Sequence, residues 1–378
     1  MGTISEEITR IAQAKADIKD AIEEKGIAVG DGLIDTYASK VLEISGGDPV
    51  PTTGKYCVRF IDYDGHILKE KRVEEGGSIA PPITNPSHEY LTFHSWNEAA
   101  SNVNRDMNIG AQYTTVDNKT YAFITLSPLT GLSPILYLRN KAAVPLTVDW
   151  GDGSTPVTIN SAGNFSPMRN YSQYGRYVII ITGASCELGS SDGSFLGSTN
   201  YKVALDKIYI SSIHSLYLNV FNNHFSLKYA VLSYGITYLN GTFANTKALA
   251  YAIMPNTVVD AGPSTFSTCG ALDGIIMSRN TAIIKSTFTR FCAALGRMKI
   301  PPLVTMLEDR CLSENASMLI VEMEPTTPPT LQQTRVFENL PLGARIYVPD
   351  ASVDAYKSAT NWVSFADYIY PVSDLYNN

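Results

Sequence analysis

Charge is scarce in this sequence, and so are the residues that carry most enzyme chemistry. Asp, Glu, Lys and Arg make up 17% of 378 residues, with a net charge of −7. No run of five basic residues occurs, which argues against nucleic acid as the main partner. The five histidines, His66, His88, His94, His214 and His224, are scattered, with no i, i+4 pair on an expected helix. The five cysteines, Cys57, Cys186, Cys269, Cys292 and Cys311, include no C-x-x-C pair. H-E-x-x-H, G-x-S-x-G, P-loop and dinucleotide fingerprints are all missing. Glu74–Glu75 and Glu322–Glu324 read as ordinary surface acids. The expectation is a protein that is not an enzyme, with no cofactor and no metal. A polysaccharide depolymerase stays as a minor alternative, because the two acids of a glycosidase need only meet in space.

Long apolar runs are also missing. The N-terminus, MGTISEEITRIAQAKADIKDAIEEKG, carries acids at once and has no apolar core of signal-peptide length. It reads as neither a secretory signal nor a membrane span. Glu6 breaks the myristoylation pattern.

What is abundant is apolar and aromatic: 44% hydrophobic residues and 22 tyrosines. From Phe221 the chain repeats every 22–23 residues. Leu227, Leu249, Leu272, Leu295 and Met318 share one register. Ala230, Ala252, Ile275, Met298 and Val321 follow three residues later, and Leu232, Met254, Met277, Ile300 and Met323 two after those. Phe221, Phe243, Phe266, Phe288 and Cys311 stand six or seven residues upstream of the first register. A 20–29-residue period with one strand per turn is the signature of a leucine-rich solenoid, whose turns share one core. Cys269 and Cys292 occupy one repeat position and read either as facing partners or as small buried hydrophobes.

With those registers pointing inward, the intervening positions point outward. They are Tyr229 and Val231, Tyr251 and Ile253, Gly274 and Ile276, Arg297 and Lys299, and Ile320 and Glu322. Tyr229, Tyr251, Arg297 and Lys299 are the candidate receptor contacts, because aromatic faces suit sugars and cations suit acidic polymers. The competing reading is that the apolar members of the column are covered by another subunit or segment.

Residues 4–24 read as a helix in which Ile4, Ile8, Ile11, Lys15, Ile18 and Ile22 form an a/d seam with one polar break. Isoleucine at both a and d favours three or more strands, so the seam predicts a homotrimer whose N-terminal helices meet at or near its axis. Residues 30–44 read as a second short helix and 45–54 as a linker.

Several segments resemble known modules. FSTCGAL at 266–272, RMKIPPLVT at 297–305 and the ending RIYVPDASVDAYKSATNWVSFADYIYPV resemble BspA-type leucine-rich repeats. ITRIAQAKADIKDAIEEKG followed by LIDTYASKVLEI resembles a helical module at the start of phage structural proteins. The run from KYCVRFIDYDGHILKE to FHSW resembles the Listeria–Bacteroides B-repeat, a β-grasp-like module in which Trp96 takes the place of the repeat's tryptophan. VDWGDGS with NYSQYGRYVIIITG resembles the PKD family, an immunoglobulin-like sandwich, with Trp150 and Tyr177 as core. Asp149 and Asp152 read as turn acids bonding their own backbone, or as metal ligands.

The expected fold class is multidomain and mostly β. It comprises a helical attachment and oligomerisation segment at 1–45, a B-repeat-like module at 54–115 and a PKD-like sandwich at 120–185. The repeats follow at 190–331 and a cap at 332–378. Together the resemblances imply a phage tail or head fibre, assembled in the host cytoplasm, released by lysis and carried on the virion. Another virion protein would hold its N-terminal helices, and a host surface glycan or protein would be its target, with no membrane insertion. The alternative is a bacterial cell-surface adhesin. The missing signal and the phage-like helices favour the fibre.

Overall fold

A computed structural model describes residues 54–191, 194–198 and 204–376. The 1–45 segment, with its Ile4, Ile8, Ile11, Ile18 and Ile22 seam and its two expected helices, lies outside the described residues.

Alternating apolar residues build the first sheet. Strands β1 (Tyr56–Ile61), β2 (Ile67–Val73), β3 (Leu91–Trp96) and β4 (Met107–Thr115) run in the order β2-β1-β4-β3. The central pair β1/β4 is parallel and the outer pairs are antiparallel. Val58, Phe60, Val103 and Ile109 fill its core, with Trp96 edge-on to Phe60 at 4.9 Å.

The second unit is two sheets face to face. Its strands are β5 (Thr120–Leu126), β6 (Pro134–Leu136), β7 (Leu138–Asn140), β8 (Leu146–Asp149), β9 (Val157–Ile159) and β10 (Gly163–Phe165). They continue with β11 (Gly175–Thr182), β12 (Cys186–Leu188), β13 (Leu196–Ser198), β14 (Ala204–Ile210), β15 (Ser215–Leu216) and β16 (Tyr229–Leu232). One sheet is ordered β16-β14-β5-β11-β8-β9, the other β10-β7-β12-β15, and β13 pairs with β6 alone. Leu138, Leu188, Trp150, Ile179 and Ile181 bury their side chains in the core, and Tyr177 packs half-buried against it. Asp149 accepts the Gly151 N–H at 2.9 Å, and Asp152 accepts the Ser154 N–H at 3.1 Å and an Arg169 N–H at 2.6 Å. These are the turn acids of the first reading.

His214 lies inside this unit, 3% exposed, with its Nδ1 2.8 Å from the Thr120 hydroxyl. Burial pushes its pKa down from the ordinary 6.5 to about 4. The unfolded chain then binds the proton more readily, so His214 destabilises the fold as pH falls through 6.5 towards 4. The urea midpoint should drop by an equivalent of roughly 2 kcal/mol between pH 7 and 5. His214→Gln should flatten that part of the profile.

The sandwich and the repeats share a strand. β14 pairs antiparallel with β5 and parallel with β16, so it is both the last strand of the sandwich sheet and the first rung of the ladder. The break expected between 185 and 190 is therefore absent. A backbone with a parallel strand on one side and an antiparallel strand on the other leaves no open edge for a boundary.

The ladder continues through β17 (Tyr251–Ile253), β18 (Asp260–Ala261), β19 (Gly274–Ile276), β20 (Ile283–Ile284), β21 (Arg297–Ile300) and β22 (Met306–Leu307). It ends with β23 (Ile320–Met323), β24 (Thr330–Leu331), β25 (Arg345–Val348) and β26 (Ile369–Pro371). Two parallel rows result: β14, β16, β17, β19, β21, β23, β25 and β26 along one side, and β18, β20, β22 and β24 along another. The third side is made of turns. There Phe221, Phe243 and Phe266 stack face to face at 5.5–5.6 Å between ring centres, Phe288 meets Phe266 edge-on at 5.4 Å, and Phe195 of the sandwich extends the column edge-on to Phe221. Each turn's backbone N–H bonds a carbonyl one turn on, as Phe243 to Thr265 and Phe266 to Phe288, both at 2.9 Å.

Two features of the turns escape the apolar register. Asn223, Asn245, Thr268, Phe291, Glu314 and Asn339 share one repeat position and are left-handed, with φ from 57 to 63°. Asparagine tolerates that conformation best, and its recurrence at 223, 245 and 339 was the available signal. Thr246, Cys269 and Cys292 occupy one position and donate to the carbonyls of Phe221, Phe243 and Phe266, at 3.2, 3.1 and 3.0 Å. The cysteines are thus small donors stitching successive turns, and all five are free and buried. Burial pushes the Cys292 thiol up to about 12, far from nucleophilic.

A short helix, α1 (Val353–Ser358), and a 3-10 turn at Trp362–Tyr368 close the C-terminal end. Trp362 is buried there and donates its indole N–H to Pro329 O at 2.7 Å. A last helical turn, α2 (Ser373–Tyr376), folds back towards the first sheet, where Tyr376 meets Tyr56 edge-on at 5.1 Å.

Candidate functional site

The outward positions of the long ladder row do not face open solvent. The first sheet lies across them, with β4 against β16, β17 and β19. Val231, Ile253 and Ile276 are buried by it, which is the covered reading of the column. Val231 joins a cluster with Tyr63, Tyr113 and Tyr209, and the Tyr63 and Tyr209 hydroxyls meet at 3.0 Å. Ile253 and Ile276 pack on Ile61. Gly110 of β4 makes the approach feasible: a Cβ there would lie 2.9 Å from Ile253 Cγ2. The Tyr113 hydroxyl donates to Asp62 at 2.5 Å, and His88 Nε2 stands 2.7 Å from the same carboxylate. His94 stacks on Tyr234 at 3.8 Å.

The four candidate contact residues fare differently. Tyr229 stays 37% exposed at the edge of the covering sheet, its ring 6.4 Å from that of Tyr63. Tyr251 is half-buried and lies against Gly274 of the next rung, where a Cβ would strike its ring. Arg297 and Lys299 are not free cations. Arg297 donates to Glu322 Oε2 at 2.5 Å, and Lys299 stands 3.0 Å from Glu322 Oε1 and donates to Asp106 O at 2.6 Å. Their expected role towards acidic polymers is corrected by this pairing, since their charge is already met.

Glu322 corrects the surface reading of the Glu322–Glu324 pair. It is 1% exposed and also accepts the Tyr376 hydroxyl at 2.8 Å. Burial alone would raise its carboxyl; Lys299 and Arg297 overcome that and hold it below the usual 4.5. Glu324 is bound by Arg279 and by Arg105, whose Nε approaches to 2.6 Å, and Arg105 also holds Glu98 at 2.5 Å. Alternating carboxylates and cations thus tie the first sheet to rungs β21 and β23. No motif announces Arg105, Glu98 or Arg279. The one sequence signal was a pair of acids at strand spacing beside a pair of cations one turn earlier.

Beside this ion network a cleft of about 340 Å³ opens between the two units. Arg59, Asp64, Asn97 and Asn108 line it from the sheet, and Tyr251, Asp273, Arg279 and Lys299 from the ladder. Among the described residues, no cluster of three His, Cys, Asp or Glu is placed to hold a metal, and no helix is long and apolar enough to cross a membrane.

The search of curated proteins found no match. One similar solved structure is that of a leucine rich cell surface protein from Faecalibacterium prausnitzii A2-165. It shows 15% identity and a TM-score of 0.28, over 41% of this chain and 57% of that one. This chain thus spans little more than half of that protein. Residues 198–339 match the BspA type leucine rich repeat region in six copies, so BspA-type repeats form the ladder of this mostly β chain.

Proposed function

We propose that this chain is an adhesin-like surface-recognition protein that binds its target without turning it over. The observation that carries this reading is the BspA-type ladder, fused through β14 to a sandwich and overlaid by a third β unit. Solenoids act through the extended surfaces that stacked repeats present. Here the overlay turns a flat face into a walled one. Thr246, Cys269 and Cys292 inside the ladder are spent on its own backbone bonds. The target is a cell-surface glycan or protein, and the chain is displayed at a cell surface. The phage-fibre reading rested on the missing signal and the phage-like helices of residues 4–44, and the repeats favour the adhesin over it. The homotrimer of the isoleucine seam is a separate proposal, which sedimentation of the full chain decides.

Fluorescently labelled full-length protein should bind saturably to at least one member of a panel of bacterial and animal cells. Surface polysaccharide recovered after incubation should keep its chain length. Absence of saturable binding across the panel overturns the adhesin reading. Shortened polysaccharide overturns the non-catalytic one and restores the depolymerase.

A further inference from the structure

The cleft between the first sheet and the ladder has a charge pattern that selects a ligand class. Its cations are all committed. Arg59 is held by Glu70 at 2.5 Å, Arg279 by Glu324, and Arg297 and Lys299 by Glu322. Glu98 and Asp106 are paired too, with Arg105 and the Cys57 N–H, but other acceptors are not. Among the described residues, the Asp273 carboxylate and the Asn108 amide have no hydrogen-bond partner, and Asp64 accepts only the His66 N–H at 3.0 Å. Both Asp273 and Asn108 are exposed at the rim. Deeper in the wall, Asn97 is 4% exposed and its Nδ2 has no partner, although its Oδ1 accepts the Gly110 N–H at 2.8 Å. A buried amide left half-satisfied is a place where native structures are completed by a ligand or ordered water. Tyr251 adds an aromatic wall.

Free carboxylates and amides beside an aromatic ring, with no spare cation, suit a molecule rich in hydroxyl and amine donors. They repel an acid, because a buried or half-buried carboxylate needs a counter-charge. The volume stands at the lower end of the ~300–1,000 Å³ of small-molecule sites. We infer that this cleft is a saccharide site that takes a neutral or amine-bearing hexose unit and excludes a uronic acid. The inference deepens the surface-recognition reading and rests on it only for its biological setting.

The test is titration of the full chain with glucosamine, glucose and glucuronic acid in turn, followed by ligand-observed NMR saturation transfer. Glucosamine should bind most tightly, glucose more weakly, and glucuronic acid not at all. Asp273→Asn should cut glucosamine affinity about tenfold, the worth of one charge-assisted hydrogen bond, and narrow the gap to glucose. Asn108→Ala should weaken both sugars equally. Both residues are at the exposed rim, so unchanged thermal melting is expected and serves as the folding control. Binding of glucuronic acid as tight as that of glucosamine overturns the inference. So does binding of none of the three, or unchanged affinity in both variants. Cell binding that survives Asp273→Asn while glucosamine binding is lost leaves the adhesin reading standing and removes the cleft from the adhesive contact. Glucosamine binding by a chain that adheres to no cell overturns the adhesin reading and leaves the cleft in place.

Discussion

Phe266→Ala should cost about 4 kcal/mol of stability, read as a fall in the urea midpoint of the full chain. The ring is fully buried and lies between Phe243 at 5.6 Å and Phe288 at 5.4 Å. Its neighbours are held by turn-to-turn backbone bonds at 2.9 Å, so they cannot collapse into the space it leaves. The cost is therefore the lost transfer energy of the ring plus an unrelaxed cavity. Leu342→Ala removes an equally apolar side chain that touches solvent on all sides, and should leave the midpoint where it was. A loss below about 1 kcal/mol for Phe266→Ala would show that the aromatic column is not a shared core, because full burial of such a ring implies more.

The second large effect is expected at Glu322. Breaking a buried ion pair by removing one partner costs about 3–5 kcal/mol, because the other charge is left uncompensated. The Arg297 and Lys299 side chains retain 35% and 24% of their exposure, so water relieves part of that penalty. Glu322→Ala should lower stability by roughly 3 kcal/mol. The Glu322→Ala, Arg297→Ala double variant should lose clearly less than the sum of the singles. Additive losses would mean that the two side chains are solvated independently. The same carboxylate sets an acid limit. Its folded pKa lies below the unfolded 4.5, so the unfolded state takes up the proton first. Glu322 therefore contributes fully above pH 4.5, and that contribution fades as pH falls through its folded value. Glu322→Gln should make the acid limb shallower.

The inward register of the ladder was readable because the geometry enforces it. A parallel rung must bury alternate side chains, and Leu227 to Met318 could not lie elsewhere. The fate of the outward positions was not readable from the same rule. Period-two alternation says which face a side chain takes, not whether a second layer covers that face. Val231, Ile253 and Ile276 carried the only hint, as apolar residues where solvent was expected. The charges misled for a related reason. Arg297 and Lys299 look like a recognition patch until Glu322 and Asp106 are placed beside them, and Asp106 is some 190 residues distant in sequence. The cleft is harder still, since its walls come from segments that only the overlay brings together. β14 was hidden because one strand serves two sheets, and its sequence, ALDKIYI, suits either.

A stack of parallel rungs is in principle an unfinished polymer, since each terminal rung displays the same unpaired groups that recruited the one before it. In this chain the first rung is already spent. β14 gives its second edge to β5, in a direction that a further parallel rung could not match. At the other end β26 finishes on Pro371, which has no N–H to offer a further rung, since its neighbour Val372 already turns its N–H inward to Val348 O at 2.8 Å. The long row therefore has a defined length and cannot grow by accretion of a second copy. Copies crowded together at high concentration should therefore stand side by side without zipping into fibrils through this row.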